Sequence, residues 1–279
     1  MDVRVFITGG TGYLGRALLG QAPAWATALG ASHLGQAPGE GGADWVRLDI
    51  RDEAAVLMAL GSFRPQVVLH TAYSKADLEG VVVRGTVHVA RACALLGARL
   101  VHLSTDQVFD GREAPYAEPA RPNPLTPYGR AKLEAERVVG EILPQAAVVR
   151  CSLIWGLDPP DPTTRLVLEL ADGKREGGLF EDEYRSFVFV EDLARALWEL
   201  VRLEYQGVLH LGGAEVLSRL EFGQLIAPFY GRDPARLPAL RLADFPEPRP
   251  QNCALDSSRA RVMLKTRLRG VREVLASRV

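Results

Sequence analysis

The sequence predicts an α/β fold: a Rossmann-type, doubly wound parallel sheet followed by a smaller mixed C-terminal lobe. Three observations predict it. Apolar runs of strand length alternate with helix-period segments, the pattern of a parallel sheet covered by helices. A glycine-rich turn, Thr8-Gly9-Gly10-Thr11-Gly12-Tyr13-Leu14-Gly15, stands between the first strand-like run and the first helix-like one. The C-terminal part then changes texture, with Pro159, Pro160 and Pro162 marking one loop and Gly173, Gly177 and Gly178 another.

Taken in order, residues 3–8 read as the first strand and 13–21 as a helix. Residues 26–29 make a weak second strand and 45–48 a third, followed by a helix near 53–60. Residues 67–71 are an apolar buried strand. A single long helix is expected over 78–96, ended by Gly97. Residues 100–104 form the next strand, a proline-rich loop follows, and Pro127 opens a helix to about 141. Residues 147–150 are another strand. Beyond them, 164–170 reads as a short helix, 191–201 as a strong one, and 187–190 and 208–211 as strands that return to the sheet. Residues 234–250 read as irregular. The expected division is 1–155 plus 186–212 for the nucleotide-binding domain, and 156–185 plus 213–279 for the substrate lobe.

The chain has 279 residues, 47% hydrophobic and 24% charged, which is enough for a full core. A net charge of -1 offers no basic surface for nucleic acid. No apolar run approaches the roughly 20 residues that span a bilayer, and the N-terminus does not read as a signal peptide. Cys93, Cys151 and Cys253 are too widely spaced for a disulfide framework or a metal site, so a reduced, cytoplasmic setting and no metal are expected.

The glycine turn carries the first chemistry. One glycine makes the tight turn, another lets backbone N–H groups approach a pyrophosphate, and a third allows close helix–strand packing. The helix N-terminus favours the anion. Gly9, Thr11, Gly12, Tyr13, Leu14 and Gly15 are therefore candidate dinucleotide contacts. Asp49 and Ile50 follow the third strand, where a carboxylate at the strand end can accept a hydrogen bond from an adenine amino group. The alternative is a helix cap, for which Asp52 is better placed. Residues 29–33 carry no acid to pair with ribose hydroxyls. That favours NADP over NAD, with Ser32 and His33 near the extra phosphate, while NAD stays possible.

Tyr128 and Lys132 lie four residues apart, hence on one helix face. Free tyrosine titrates near 10, too high for efficient proton transfer at neutral pH, and a nearby ammonium favours the phenolate. Upstream, a strand ends in Ser104-Thr105-Asp106, and a hydroxyl there points into the crevice where ligands bind in such sheets. Thr105, Tyr128 and Lys132 form the candidate catalytic set.

These residues resemble the extended short-chain dehydrogenase/reductase superfamily and, within it, the dTDP-4-dehydrorhamnose reductase family, including its sugar nucleotide-binding branch. The resemblance rests on the glycine spacing, on residues 104–111 (Ser-Thr-Asp-Gln-Val-Phe-Asp-Gly), and on the Tyr128/Lys132 helix with Glu134 and Glu136. It continues through Arg150-Cys-Ser-Leu-Ile-Trp-Gly156, residues 190–194, and Arg249-Pro250 leading to Leu255-Asp256. It implies reduction of a 4-keto group on a nucleotide-linked deoxysugar by NADPH or NADH, with Tyr128 as proton donor and a homodimer in solution. It adds Thr71, Ala72, Tyr73 and Ser104 to the expected cofactor side. The expected sugar-nucleotide side takes Thr105, Asp106, Val108, Trp155, Arg185 and Arg249.

Each substrate-side candidate has a plainer alternative. Arg185 can meet a diphosphate bidentately or pair with its acidic neighbours. Arg249 can be a solvated turn, Trp155 a pocket wall or core, and His70 and His210 satisfied core histidines. The family's Asn-Ala-Ala after the fourth strand is here His70-Thr71-Ala72. An Asn on the following helix is missing from 81–85, and Leu153 stands where the family has Trp. Two other readings compete: a sugar-nucleotide epimerase that keeps its NAD bound, and a non-catalytic NADP-binding regulatory subunit, since the methionine adenosyltransferase β-subunit resembles the same family.

Overall fold

The computed structural model describes residues 2–33 and 44–278. Six strands of the central sheet precede its last: β1 (Val3–Thr8), β2 (Ala26–Ser32), β3 (Asp44–Arg47), β4 (Val67–His70), β5 (Arg99–Thr105) and β6 (Ala147–Cys151). With the strand Gly207–Leu211 they form a seven-stranded sheet, ordered from that strand through β6, β5, β4, β1 and β2 to β3. β1 pairs in parallel with both β2 and β4, so the order reverses beside the glycine turn. Ligands bind such sheets at a switch point of this kind.

The helices are α1 (Tyr13–Gly20), α2 (Glu53–Phe63), α3 (Gly85–Leu96), α4 (Pro127–Ile142), α5 (Pro162–Ala171), α6 (Val190–Leu203), α7 (Arg219–Phe229), α8 (Ser258–Met263) and α9 (Val271–Ala276). Asp52 caps α2 by accepting from the Ala55 amide at 3.0 Å. Gly97 ends α3 at φ +68, a left-handed conformation that glycine adopts without cost. The long helix expected over 78–96 is divided. Residues Leu78–Arg84 form a π-helical segment before α3 begins. The segment is capped by the Asp77 carboxylate, which accepts from the Gly80 amide at 2.8 Å, and the Gly85 amide at its end donates to the Gly80 carbonyl five residues back; beyond it the Thr86 hydroxyl donates to the Val82 carbonyl at 2.6 Å. Segments of this type recur at functional sites.

The chain divides into two compact units. The first comprises 1–105, 127–150 and 194–209; the second comprises 106–126, 151–193 and 210–279. In the first, Phe6, Val68, Leu100 and Val148 from neighbouring strands pack with Val56, Leu60, Val89 and Val139 from the helices. In the second, the core is Trp155, Val167, Leu179, Phe187, Phe189, Phe222, Ile226 and Val271.

Two expectations are corrected in the second unit. Residues 187–190 do not return to the main sheet. Val188 and Phe189 pair with Ile154 and Trp155 in a separate two-stranded ladder, because α6 starts at Val190 and leaves the strand no length. Helix α7 was not anticipated. Its periodicity is blurred by Gly223 and Pro228, but Ser218 and Glu221 close a capping box, the Ser-x-x-Glu signature readable in the sequence.

Candidate active site

The glycine turn ends β1 and opens α1. Gly9 has φ +70, and a Cβ there would lie 2.8 Å from the backbone of Ala72. A Cβ on Gly15 would sit 2.2 Å from the Gly9 carbonyl oxygen, so helix and turn can approach only without one. Gly12 is the N-cap of α1 and offers no side-chain bond to the first turn, which suits a cap shared with an anion. A methyl on Gly10 would strike the Trp45 ring at 2.8 Å. The turn is thus a backbone-walled cradle of the kind a dinucleotide needs. Thr11 and Ser32 bring their hydroxyls within 3.2 Å. Thr71 donates its hydroxyl to the Thr8 carbonyl at 2.7 Å, and Ala72 lies against Gly9.

Around Asp49, the candidate adenine contact, the structure places more charge than the sequence suggests. Arg51 grips Asp49 bidentately, with Nε 3.0 and 3.1 Å and Nη2 2.7 Å from the carboxylate, and reaches Asp77 at 3.2 Å. Asp49 is held well below the ordinary carboxylate range, at about 2, mainly by its bond to Arg51. His33 stands 3.4 Å from the same carboxylate and is exposed. Ile50 is buried beside Gly85. Arg51 was not singled out from the sequence; its position two residues after Asp49 was the available signal.

Tyr128 and Lys132 share one face of α4. Lys132 is only 4% exposed, and its ammonium donates to the Leu103 carbonyl at 2.5 Å. This bond ties the helix to the C-terminal end of β5, where Ser104 and Thr105 are buried. Tyr128 is half-buried. Its ring lies 6.2 Å from that of Tyr73, and the Lys75 ammonium lies 5.8 Å from its centroid. One turn beyond Lys132, the buried Glu136 carboxylate accepts from Ser104 and from Arg150 of β6, the latter at 2.7 Å. The candidate catalytic set therefore rests on a buried ion pair that the sequence did not reveal, although both partners belong to its motifs.

The expected sugar-nucleotide residues Asp106, Val108, Trp155, Arg185 and Arg249 fall in the second unit. Arg185 is buried, with Nη2 3.1 Å from Glu183 and Nε 3.5 Å from Asp106, so its acidic neighbours already engage it. Asp106 also accepts from Ser152 at 2.8 Å. Arg249 pairs with Glu183 at 2.9 Å and lies over the Phe180 ring at 4.9 Å, on a cavity of about 450 Å³ that Phe245 and Gln251 also line. Val108 is fully buried. Trp155, expected on a pocket wall, is core: it is fully buried against Phe189 and Phe222. His210 is held by the Tyr116 carbonyl at 3.0 Å, as a core histidine would be.

Among the described residues, no group of three His, Cys, Asp or Glu could hold a metal, and no helix is long and apolar enough to cross a membrane. The three cysteines are buried and none is joined in a disulfide.

Comparison with known proteins matches residues 3–279 to the RmlD substrate binding domain family. The chain belongs to this family. Over 214 residues it is 36% identical to a dTDP-4-dehydrorhamnose reductase of Mycobacterium tuberculosis, covering 73% of this chain and 70% of that protein. It is 31% identical to the methionine adenosyltransferase 2 subunit beta of Danio rerio, covering 93% of this chain and 84% of that one. Among solved structures, a Bacillus anthracis dTDP-4-dehydrorhamnose reductase in complex with NADP matches with a TM-score of 0.80 at 25% identity, covering 99% of this chain and 98% of its own. The expected fold class and family are thereby met by this member of the RmlD substrate binding domain family.

Proposed function

We propose that this family member is an NAD(P)H-dependent reductase of a nucleotide-linked 4-keto sugar. The observation that carries the reading is Lys132, one turn after Tyr128 on α4, bonded to the Leu103 carbonyl near the end of β5, in the same unit as the glycine cradle. The cradle fits a dinucleotide because its walls are backbone where a Cβ would collide. Gly9, Thr11, Gly12, Tyr13, Leu14 and Gly15 would hold the pyrophosphate. Asp49 and Ile50 would meet the adenine, and Ser32 and His33 would lie near a 2′-phosphate. Thr71, Ala72, Tyr73 and Ser104 complete the cofactor side. NADP is the proposed cofactor, with NAD as the alternative.

The nicotinamide, when bound, supplies a hydride to the keto carbon. Tyr128 gives its phenolic proton to the carbonyl oxygen, which becomes the alcohol. Lys132 favours the phenolate left behind and can also hold a ribose hydroxyl. Thr105 donates a hydrogen bond to the same carbonyl oxygen and so orients it. In the second unit, the partly exposed Arg249 is the proposed diphosphate contact, while the buried Arg185, Asp106 and Val108, the arginine held by Glu183 and Asp106, support that side from behind. A cytoplasmic, homodimeric enzyme that binds neither nucleic acid nor membrane completes the proposal.

The test is a panel of nucleotide-linked 4-keto sugars with NADPH, read by loss of nicotinamide absorbance. Turnover of none of them, with the cofactor bound, would favour the second reading, a regulatory subunit. That reading is supported by the likeness to methionine adenosyltransferase 2 subunit beta over almost the whole chain.

A further inference from the structure

His70 stands at the end of β4 where the family pattern has Asn, and its bonds have one consistent direction. The Thr8 hydroxyl oxygen lies 3.2 Å from the Thr71 amide nitrogen and 3.3 Å from that of Ala72. Both amides can only donate. The hydroxyl's single proton therefore goes to its third neighbour, His70 Nδ1, at 2.7 Å. Nδ1 accepts, so the ring proton sits on Nε2, which faces the Thr86 hydroxyl at 3.0 Å. Thr86 passes its own proton to the Val82 carbonyl. Every donor in this chain meets an acceptor, and a proton on Nδ1 would break it. His70 is fully buried beside the Lys132 charge, and burial first and that charge second push its pKa down to about 3.

The network has a definite place. The Thr71–Ala72 backbone that it holds is the surface against which Gly9 packs. On the other side it anchors the π-helical segment through Thr86 and Val82. We infer that His70 is a positioning residue for the dinucleotide: as a fixed neutral Nε2–H tautomer it orients the Thr8 hydroxyl, which pins the Thr71–Ala72 backbone beside the glycine cradle. The inference rests on the nucleotide-binding reading above and says how this chain replaces the family's Asn.

The test uses the full chain. Long-range nitrogen–proton NMR of the parent protein should show His70 as the Nε2–H tautomer with no titration between pH 5 and 8. In NADPH titrations, His70→Leu and Thr8→Val should each weaken binding roughly tenfold or more, the cost of orphaning buried polar groups. The double variant should bind no more weakly than the worse single one, because both break the same network. His70→Asn, which restores an acceptor near the Nδ1 position, should recover most of the affinity. With a turned-over substrate, KM for NADPH should rise more than kcat falls. Parent-like binding by a folded His70→Leu protein, additive losses, or an Nδ1–H ring would overturn the inference. If His70→Leu does not fold, the tautomer and the Thr8→Val affinity decide. A parent protein that binds neither NADPH nor NADH would remove the underlying reading, and this inference with it; the tautomer result identifies which of the two has failed.

Discussion

Arg150 and Glu136 meet as a buried, two-pronged ion pair, with Nη2 2.7 Å and Nε 3.0 Å from the two carboxylate oxygens. The pair joins β6 to α4 one turn past Lys132, while Ser104 adds a third bond from β5. Three elements are thereby held in one register around the candidate catalytic residues. Removing one partner leaves a buried charge unpaired. Arg150→Leu or Glu136→Gln should lower unfolding free energy by about 3–5 kcal/mol in urea titrations. The Glu136→Leu/Arg150→Leu double variant should recover much of that stability. A single variant as stable as the parent would contradict the role assigned to the pair.

Tyr128→Phe removes only the phenolic hydroxyl, and with it the proton the mechanism uses. On a confirmed substrate, kcat should fall by about 10²–10⁴-fold. NADPH affinity should stay close to the parent's, since the ring and its contact with Tyr73 remain. Retained turnover would remove Tyr128 from the mechanism.

Gly15→Ala places a methyl 2.2 Å from the Gly9 carbonyl oxygen. The turn must shift, at a cost of about 1–3 kcal/mol of overpacking. NADPH binding should weaken by at least an order of magnitude in fluorescence titration. Gly61→Ala, in open space on α2, is the control and should bind normally.

The stability of the protein should fall in mild acid. His70 and His102 are fully buried on adjacent strands with ring centroids 5.3 Å apart. Burial, followed by the Lys132 charge, pushes His102 well below 6.5, as it pushes His70 to about 3. Below pH 6.5 the unfolded chain takes up protons that native His70 refuses until about pH 3 and native His102 until well below 6.5. Stability is therefore greatest above 6.5 and declines through that window, by up to about 1.4 kcal/mol per pH unit for each histidine. Urea midpoints between pH 7.5 and 5 measure it, and His102→Leu should flatten the curve. A flat parent profile would contradict the assignment.

Trp155 supports the second core rather than a binding surface. Trp155→Ala should cost about 3–5 kcal/mol, visible as a lower Tm, while Trp155→Phe costs less. Neither should selectively raise KM for the sugar nucleotide in protein that remains folded.

The sheet, the cradle and the Tyr128/Lys132 helix were legible because local chemistry dictates them. The glycine spacing has a steric reason, and a four-residue interval on a helix has one geometry. What was not legible depends on partners distant in the chain. Arg185 reads equally as a diphosphate ligand or an ion pair until Glu183 and Asp106 are seen to surround it. Trp155 at a strand end gives no sign of the Phe222 ring that encloses it. The π-helical segment was hidden because its mark, a backbone bond from Gly85 to the Gly80 carbonyl five residues back, leaves the apolar pattern of 78–96 intact. Helix α7 was legible at its cap and was missed for its proline.

The polypeptide passes from one compact unit to the other after residues 105, 126, 150, 193 and 209. Thr105 and Asp106, neighbours in a proposed site motif, belong to different units. Neither unit is a contiguous cassette. Neither unit can therefore be exchanged with a relative's by splicing a single fragment; three segments would have to be grafted together, and each junction falls beside a residue of the candidate site or of the core.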